Sequence, residues 1–261
     1  MKAIASRDNA RYKALAKLVA SSRSRRMSGL SVLEGAHLLD AYLATGAKPE
    51  GVAVSVAALE KPEVTKLLER ASPAAISVFS ATLFDALSSL ESAPSVIATV
   101  RTPAAKPVPR DAELALVLED IQDPGNVGTL LRSAAAAGAR HALLSPQCAF
   151  AWSPKVLRAA MGAHFVLNVV EGADVEAFVR GYEGESIALI ARGGRPLFEL
   201  DLRKPCAILV GNEGAGLTPG LAKAARVRAT IPLPGRIESL NAAAAGAVAL
   251  FEAVRQRAAK R

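Results

Sequence analysis

Aromatic side chains are scarce in this chain. Phe, Trp and Tyr together make up 4% of it, although 51% of its residues are hydrophobic. The core must therefore be built from Ala, Val and Leu, small side chains that suit close packing of helix on sheet. Cysteine is limited to Cys148 and Cys206, both in apolar contexts and neither at metal-ligand spacing, which points to buried thiols in a reducing compartment. His37, His141 and His164 are scattered without Cys or carboxylate partners at ligand spacing, so no metal site is expected. No apolar run reaches transmembrane length, and the basic N-terminus lacks the apolar stretch of a signal peptide. The expectation is a cytoplasmic protein with no membrane partner. A Walker A segment and a G-x-S-x-G elbow are both missing, so the sequence offers neither a P-loop nor a serine-hydrolase nucleophile.

What the chain does have is positive charge, and the charge is concentrated. The formal net charge is +8, from 32 basic and 24 acidic residues. Residues 1–26 alone carry Lys2, Arg7, Arg11, Lys13, Lys17, Arg23, Arg25 and Arg26 against a single Asp8. Such a stretch suits a polyanion, because each cation that meets a phosphate releases a counterion. A solvated helix face would read the same way on charge alone.

From about residue 30 short apolar runs alternate with helical patterns. Ser31–Glu34, Val52–Val56, Ile76–Phe79 and Val96–Val100 predict strands, and Ala36–Ala44, Pro62–Arg70 and Ala81–Leu87 predict helices. Residues 102–112 then carry three prolines, Pro103, Pro107 and Pro109, and predict an extended linker between a domain of residues 1–101 and one of residues 113–261. In the second half strands are expected at Leu114–Leu118, His141–Leu144, Phe165–Val169, Ile187–Ile190, Cys206–Val210 and Thr230–Leu233. Helices are expected at Val127–Ala137, Pro154–Ala160, Val175–Gly181, Pro219–Ala224 and Ser239–Ala258. Strands alternating with helices imply a parallel sheet covered on both faces.

Three segments carry polar residues where strands run into loops. In LVLEDIQDPGNVGTLLRSAAAAGA (116–139), Asn126 is placed to cap a helix that carries Arg132. In CAILVGNEGAGLTP (206–219), Glu213 sits in a loop whose glycines, Gly211, Gly214 and Gly216, follow the order G-x-x-G-x-G and not the dinucleotide pattern. Such glycines expose backbone N–H and C=O groups to a ligand. In ATIPLPGRIESLNAAAAGAVALFEA (229–253), Ser239 or Asn241 precedes an alanine-rich helix as a candidate cap. Taken singly, each segment is also explained by caps and turns.

Together, in this order and spacing, NVGTLLRSAAAAGA, LVGNEGAGLTP and IPLPGRIESLNAAAAGA resemble the three motifs of the SpoU (TrmH) family of RNA 2′-O-methyltransferases, within the SPOUT superfamily. ASRDNARYKALAKL and RRMSGLSVLEGAHLLDAYLATG resemble, more loosely, the substrate-binding domain often attached to that family. The resemblance implies an α/β fold: a C-terminal SPOUT domain with a parallel sheet and a deep trefoil knot, and a smaller N-terminal α/β RNA-binding domain. It implies S-adenosylmethionine as cofactor, held by Leu189, Ile190, Ala191, Gly211, Asn212, Gly216, Ile231, Leu233 and Leu240. It implies a polar catalytic site of Asn126, Arg132, Glu213, Ser239 and Asn241, and in relatives the arginine has been assigned the role of base. Because guanidinium is very reluctant to lose its proton, the expectation for this chain is instead that Arg132 positions and polarises while Glu213 and Asn126 hold it. It also implies a homodimer acting on RNA, with ribosomal RNA favoured over transfer RNA by the appended domain.

Two departures stand out. Alanines follow Asn241 where many relatives have a small polar residue, and Ala160 stands where relatives have a serine nearby. A non-catalytic RNA-binding protein that kept the fold is the main alternative, and the intact polar set argues against it.

Overall fold

The computed structural model describes residues 3–88 and 94–258, which fall into two compact units. Residues 1–104 and 152–165 cluster as the first, and residues 105–151 and 166–261 as the second. This differs from a contiguous domain of residues 113–261.

Among the described residues the first unit has a four-stranded sheet in the order β1-β4-β2-β3, from β1 (Leu30–Glu34), β2 (Gly51–Ser55), β3 (Ala75–Phe79) and β4 (Val96–Arg101). β4 runs antiparallel to both its neighbours, and β2 and β3 are parallel. Helix α1 (Ala10–Ala20) begins at Asn9, whose side chain accepts from the Arg11 amide. It buries Tyr12 and Leu15 against Val32, Phe79 and Ile97, with the Tyr12 and Phe79 rings edge to face at 5.9 Å. That orientation leaves Arg11, Lys13 and Lys17 exposed, and Arg7, Arg23 and Arg26 are exposed with them. Arg25, on α2 (Ser22–Ser28), departs from this pattern. It is buried, and its Nη1 donates to the Leu18 and Val19 carbonyls at 2.5 and 2.9 Å. It therefore closes the C-terminal end of α1 and is withdrawn from the basic face. Lys2 lies outside the described residues.

Helices α3 (Ala36–Ala44), α4 (Pro62–Ala71) and α5 (Ala81–Asp85) complete the run before the linker. Helix α7 (Pro154–Ala160) also belongs to this unit. It packs on β1, and its Arg158 pairs with the buried Glu34. A buried carboxylate is costly unless its oxygens are paired or hydrogen-bonded, and Arg158 meets that need here.

In the second unit the described strands form one parallel sheet in the order β7-β6-β5-β10-β8-β11-β9. Its centre is β5 (Leu114–Leu118) beside β10 (Cys206–Val210), every residue of which is buried. Strands covered on both faces read as unbroken apolar runs, which is why these two were legible in the sequence. β8 (Glu185–Leu189) and β11 (Val227–Thr230) follow on one side, then the short β9 (Arg195–Pro196). β6 (His141–Leu144) and β7 (Asn168–Val170) follow on the other. Helices α6 (Pro124–Ala136), α8 (Val175–Gly181), α9 (Pro219–Ala224) and α10 (Ala242–Ala258) cover the sheet. Cys206 is buried and Cys148 partly buried, and burial raises both thiol pKa values, that of Cys206 to about 11.

Several element boundaries depart from the sequence reading. The strand expected at Phe165–Val169 begins only at Asn168, because Met161 (φ 49) and Gly162 (φ 91) end α7 and a 3₁₀ turn occupies Ala163–Phe165. The strand expected at Thr230–Leu233 ends at Thr230, since Pro232 and Pro234 have no N–H to give a ladder. The last helix starts at Ala242 and not at Ser239. No helix among the described residues is long and apolar enough to cross a membrane.

Candidate active site

β5, β10, β8 and β11 are parallel neighbours, so the loops that leave their carboxyl ends share one edge of the sheet. Ligands of open parallel sheets bind at that edge.

After β5 the chain turns at Asp123, whose carboxylate accepts from the Asn126 amide at 2.9 Å and caps α6. Asp123, not Asn126, is thus the N-cap, and Pro124 fills the first helical position, where a missing N–H costs nothing. A Cβ on Gly125 would stand 2.7 Å from the Asp123 carboxylate oxygen, so the cap itself requires glycine there. Asn126 falls in the first turn with its side chain free for other work. Its Nδ2 donates to Glu213 Oε1 at 3.0 Å, and its Oδ1 accepts from Asn241 Nδ2 at 3.0 Å.

Glu213, in the loop after β10, also accepts from the Gln122 and Asp123 amides at 3.2 and 3.1 Å. Partial burial pushes its carboxyl up, but the hydrogen bonds from Asn126, Asp123 and Gln122 outweigh this and leave its pKa below the ordinary glutamate value. Asn241 Oδ1 accepts from the Ala243 and Ala244 amides at 2.8 and 3.2 Å, so the same side chain that reaches Asn126 also caps α10. Glu213, Asn126 and Asn241 form one hydrogen-bonded chain joining the three segments singled out in the sequence.

Arg132 is not part of it. It is exposed on α6 and, among the described residues, has no hydrogen bond or ion pair. The expectation that Glu213 and Asn126 hold Arg132 is therefore corrected: the Glu213 carboxylate is occupied by the start of α6. Ser239 is exposed, and it lines a neighbouring cavity without a hydrogen-bond partner among the described residues.

That cavity measures about 330 Å³. Leu189, Ile190 and Ala191 form one wall, Gly211, Asn212 and Gly216 the next, and Ile231, Leu233 and Leu240 close it, so all nine expected cofactor contacts lie around one space. Glu213 touches it from the polar chain, whereas Asn126, Asn241 and Arg132 do not line it. The sequence reading missed Glu238, Ala242 and Ala245, which also line it. Glu238 pairs with Arg192 at 2.9 Å, with both side chains largely exposed. The alanines were readable only as helix, since nothing in an alanine run distinguishes a lining face.

The loop wall is tightly made. A Cβ on Gly211 would lie 2.2 Å from Leu217 N and 2.3 Å from Gly216 C, so the strand end touches the returning backbone directly. Gly216 takes φ +73, with open space where its side chain would be.

Comparison with known proteins fits this arrangement. Residues 113–251 match the family model described as the SpoU rRNA Methylase family. A Synechocystis sp. protein described as an uncharacterized tRNA/rRNA methyltransferase is 32% identical over 90% of this chain and 88% of its own length. The 23S rRNA (guanosine(2553)-2′-O)-methyltransferase RlmP of Bacillus subtilis is 30% identical over 96% of this chain and 98% of its own. The crystal structure of the SpoU methyltransferase AviRb from Streptomyces viridochromogenes in complex with the cofactor AdoMet superposes with a TM-score of 0.86 at 27% identity, covering 97% of this chain and 100% of that one. With three motifs joined by hydrogen bonds at one sheet edge, and relatives that match along nearly the whole chain, this protein belongs to the SpoU rRNA methylase family.

Proposed function

We propose that the chain transfers a methyl group from S-adenosylmethionine to a ribose 2′-hydroxyl of ribosomal RNA. The observation that carries this is the cavity beside the Glu213–Asn126–Asn241 chain. Its volume falls in the range of small-molecule sites, about 300–1,000 Å³. The residues fit the cofactor. Leu189, Ile190, Ile231, Leu233 and Leu240 offer apolar walls for an adenine, and the glycine loop offers bare backbone to polar groups. When bound, S-adenosylmethionine supplies an electrophilic methyl carbon on sulfonium, which needs no metal.

The chain's own task is to present and activate a weak nucleophile. Arg132, exposed on the helix whose first turn holds Asn126, binds the phosphate beside the target ribose through its planar fork. Guanidinium does not give up its proton in proteins, so it stabilises charge growing on the ribose oxygen and takes no proton itself; the hydroxyl proton leaves to solvent water as the oxygen–methyl bond forms and the methyl–sulfur bond breaks. Glu213 places a carboxylate at the positive end of α6 and fixes the orientation of the Asn126 amide, which in turn fixes Asn241 and the start of α10.

In this reading residues 1–101 bind the RNA, with the exposed cations Arg7, Arg11, Lys13, Lys17, Arg23 and Arg26 meeting its backbone. The C-terminal chain carries the family's trefoil knot. Two copies associate in the cytoplasm through α10, which leaves Phe251 half exposed.

The test is methyl transfer from labelled S-adenosylmethionine to ribosomal RNA, with the modified ribose mapped, for the wild-type chain and for Arg132→Lys. The variant keeps the charge and loses the fork, and its kcat falls by about 10²-fold or more with cofactor affinity unchanged. Transfer at the full rate would rule out the positioning role of Arg132, and absence of transfer in the wild type would rule out the function.

A further inference from the structure

Glu119 is the residue that follows β5. It is 7% exposed, and no cation among the described residues pairs with it. Its two carboxylate oxygens accept instead from Thr218 N and Thr218 Oγ1, each at 2.7 Å. The same Thr218 hydroxyl accepts from the Leu221 amide at 3.3 Å and caps α9. Asp120, the next residue, is held at φ 56 by the Ser145 hydroxyl, which bonds its carboxylate at 2.5 Å and its amide at 2.9 Å. In that conformation the Asp120 carbonyl receives Asn212 Nδ2 at 2.8 Å.

The loop of residues 211–218 thus stands on two consecutive residues. Asn212 is fixed to Asp120 at one foot and Thr218 to Glu119 at the other. Between them Asn212 Oδ1 accepts from the Gly214 and Ala215 amides, and the Gly216 amide returns to the Asn212 carbonyl. Residues 211–217 line the cavity, while Glu119 and Thr218 do not.

We propose that Glu119 is a positioning residue for S-adenosylmethionine, setting the cofactor wall through Thr218 without touching the cofactor; this rests on the reading of the cavity as the cofactor site. A buried carboxylate is costly unless its oxygens are bonded, and a neutral side chain would close this foot more cheaply. What Glu119 adds is two acceptors on one rigid group, which fix both the height and the rotation of Thr218. The geometry, not the charge, is what the loop uses.

The experiment is calorimetric titration of the full chain with S-adenosylmethionine, alongside steady-state kinetics. Glu119→Ala weakens cofactor binding by at least about tenfold, raises KM for the cofactor and leaves kcat at saturation within about twofold. Glu119→Gln returns affinity to within about threefold of wild type. Its carbonyl accepts from Thr218 N, and its amide donates to the Thr218 oxygen, which accepts as readily as it donates. Thr218→Val keeps the N–H and loses the hydroxyl, and gives an intermediate loss.

Wild-type affinity in Glu119→Ala overturns the proposal, and so does equal weakening by Ala and Gln. If the Ala variant does not fold, Thr218→Val and Glu119→Gln carry the test, and wild-type affinity in Thr218→Val overturns it. A wild-type chain that fails to bind S-adenosylmethionine removes the cofactor reading itself. A wild-type chain that binds beside an Ala variant that binds equally removes only the role of Glu119.

Discussion

Replacing Gly211 by alanine tests whether close backbone approach shapes the cofactor cavity. Its φ lies outside the left-handed region, so alanine is conformationally allowed and, through the unfolded chain, would by itself stabilise by about 0.4–1 kcal/mol. The opposing effect is steric. The new Cβ would sit 2.2 Å from Leu217 N, 2.3 Å from Gly216 C and 2.5 Å from Gly216 O, all backbone atoms with no rotamer by which to withdraw. To reach ordinary van der Waals separation the loop must move by about 1 Å, and interiors packed at crystal density resist this, typically at about 1–3 kcal/mol. The move also strains the Gly216 N to Asn212 O bond of 2.9 Å, and breaking that hydrogen bond adds about 1 kcal/mol.

The steric terms win. The variant is less stable by about 1–3 kcal/mol, and the displaced wall loses about 10²-fold in cofactor affinity. Thermal unfolding with and without S-adenosylmethionine reads both effects. At 100 times Kd the wild type gains about 2.7 kcal/mol from ligand. That corresponds to a rise of roughly 5–11 °C in a domain of this size. Gly211→Ala melts lower and loses most of the ligand shift. Gly214→Ala, whose Cβ meets only Asn212 Oδ1 at 3.7 Å, keeps its melting temperature. A Gly211→Ala variant with the wild-type melting temperature and the wild-type ligand shift would refute the reasoning.

Two further outcomes follow from the structure. The Glu213 pKa is depressed in the folded chain, so its contribution to stability is present above the ordinary glutamate pKa and is lost as pH falls through the folded value. Glu213→Gln therefore unfolds with a shallower acid limb than wild type, measured by denaturant melts across that range, and identical limbs would remove the carboxylate from the start of α6. Reversing Arg11, Lys17 and Arg23 to Glu weakens RNA binding and lowers the salt slope by about 0.7–0.9 for each phosphate that is no longer neutralised. Point reversals are required here because deleting the segment would also strip Tyr12 and Leu15 from the core.

The strands that the sequence marked most clearly are those buried on both faces, Leu114–Leu118 and Cys206–Val210, where nothing polar interrupts the run. Boundaries failed where a local backbone feature outweighed hydrophobicity. The left-handed pair Met161–Gly162 delayed β7, and the prolines after Thr230 cut β11 short. Asn126 reads as a cap because asparagine caps helices well, yet Asp123 three residues earlier does so and Pro124 follows it in the first turn. Arg25 counted as surface charge because no sequence rule shows a guanidinium turning back onto the last carbonyls of a preceding helix. Glu119 passed unnoticed although an acid ending the run LVLE is itself a signal. Its partner lies 99 residues away, and only the parallel pairing of β5 with β10 brings the two together.

The same long spans govern when the site comes into being. Asn126 waits for Glu213, 87 residues downstream, and for Asn241, 115 residues downstream. As the chain leaves the ribosome from its N-terminus, the start of α6 emerges long before the groups that will hold it in working order. Until Asn241 has been added, Asn126 lacks one of its two partners. A half-made chain therefore holds the cavity's first wall but not its function, and the site is completed only when the start of α10 has emerged.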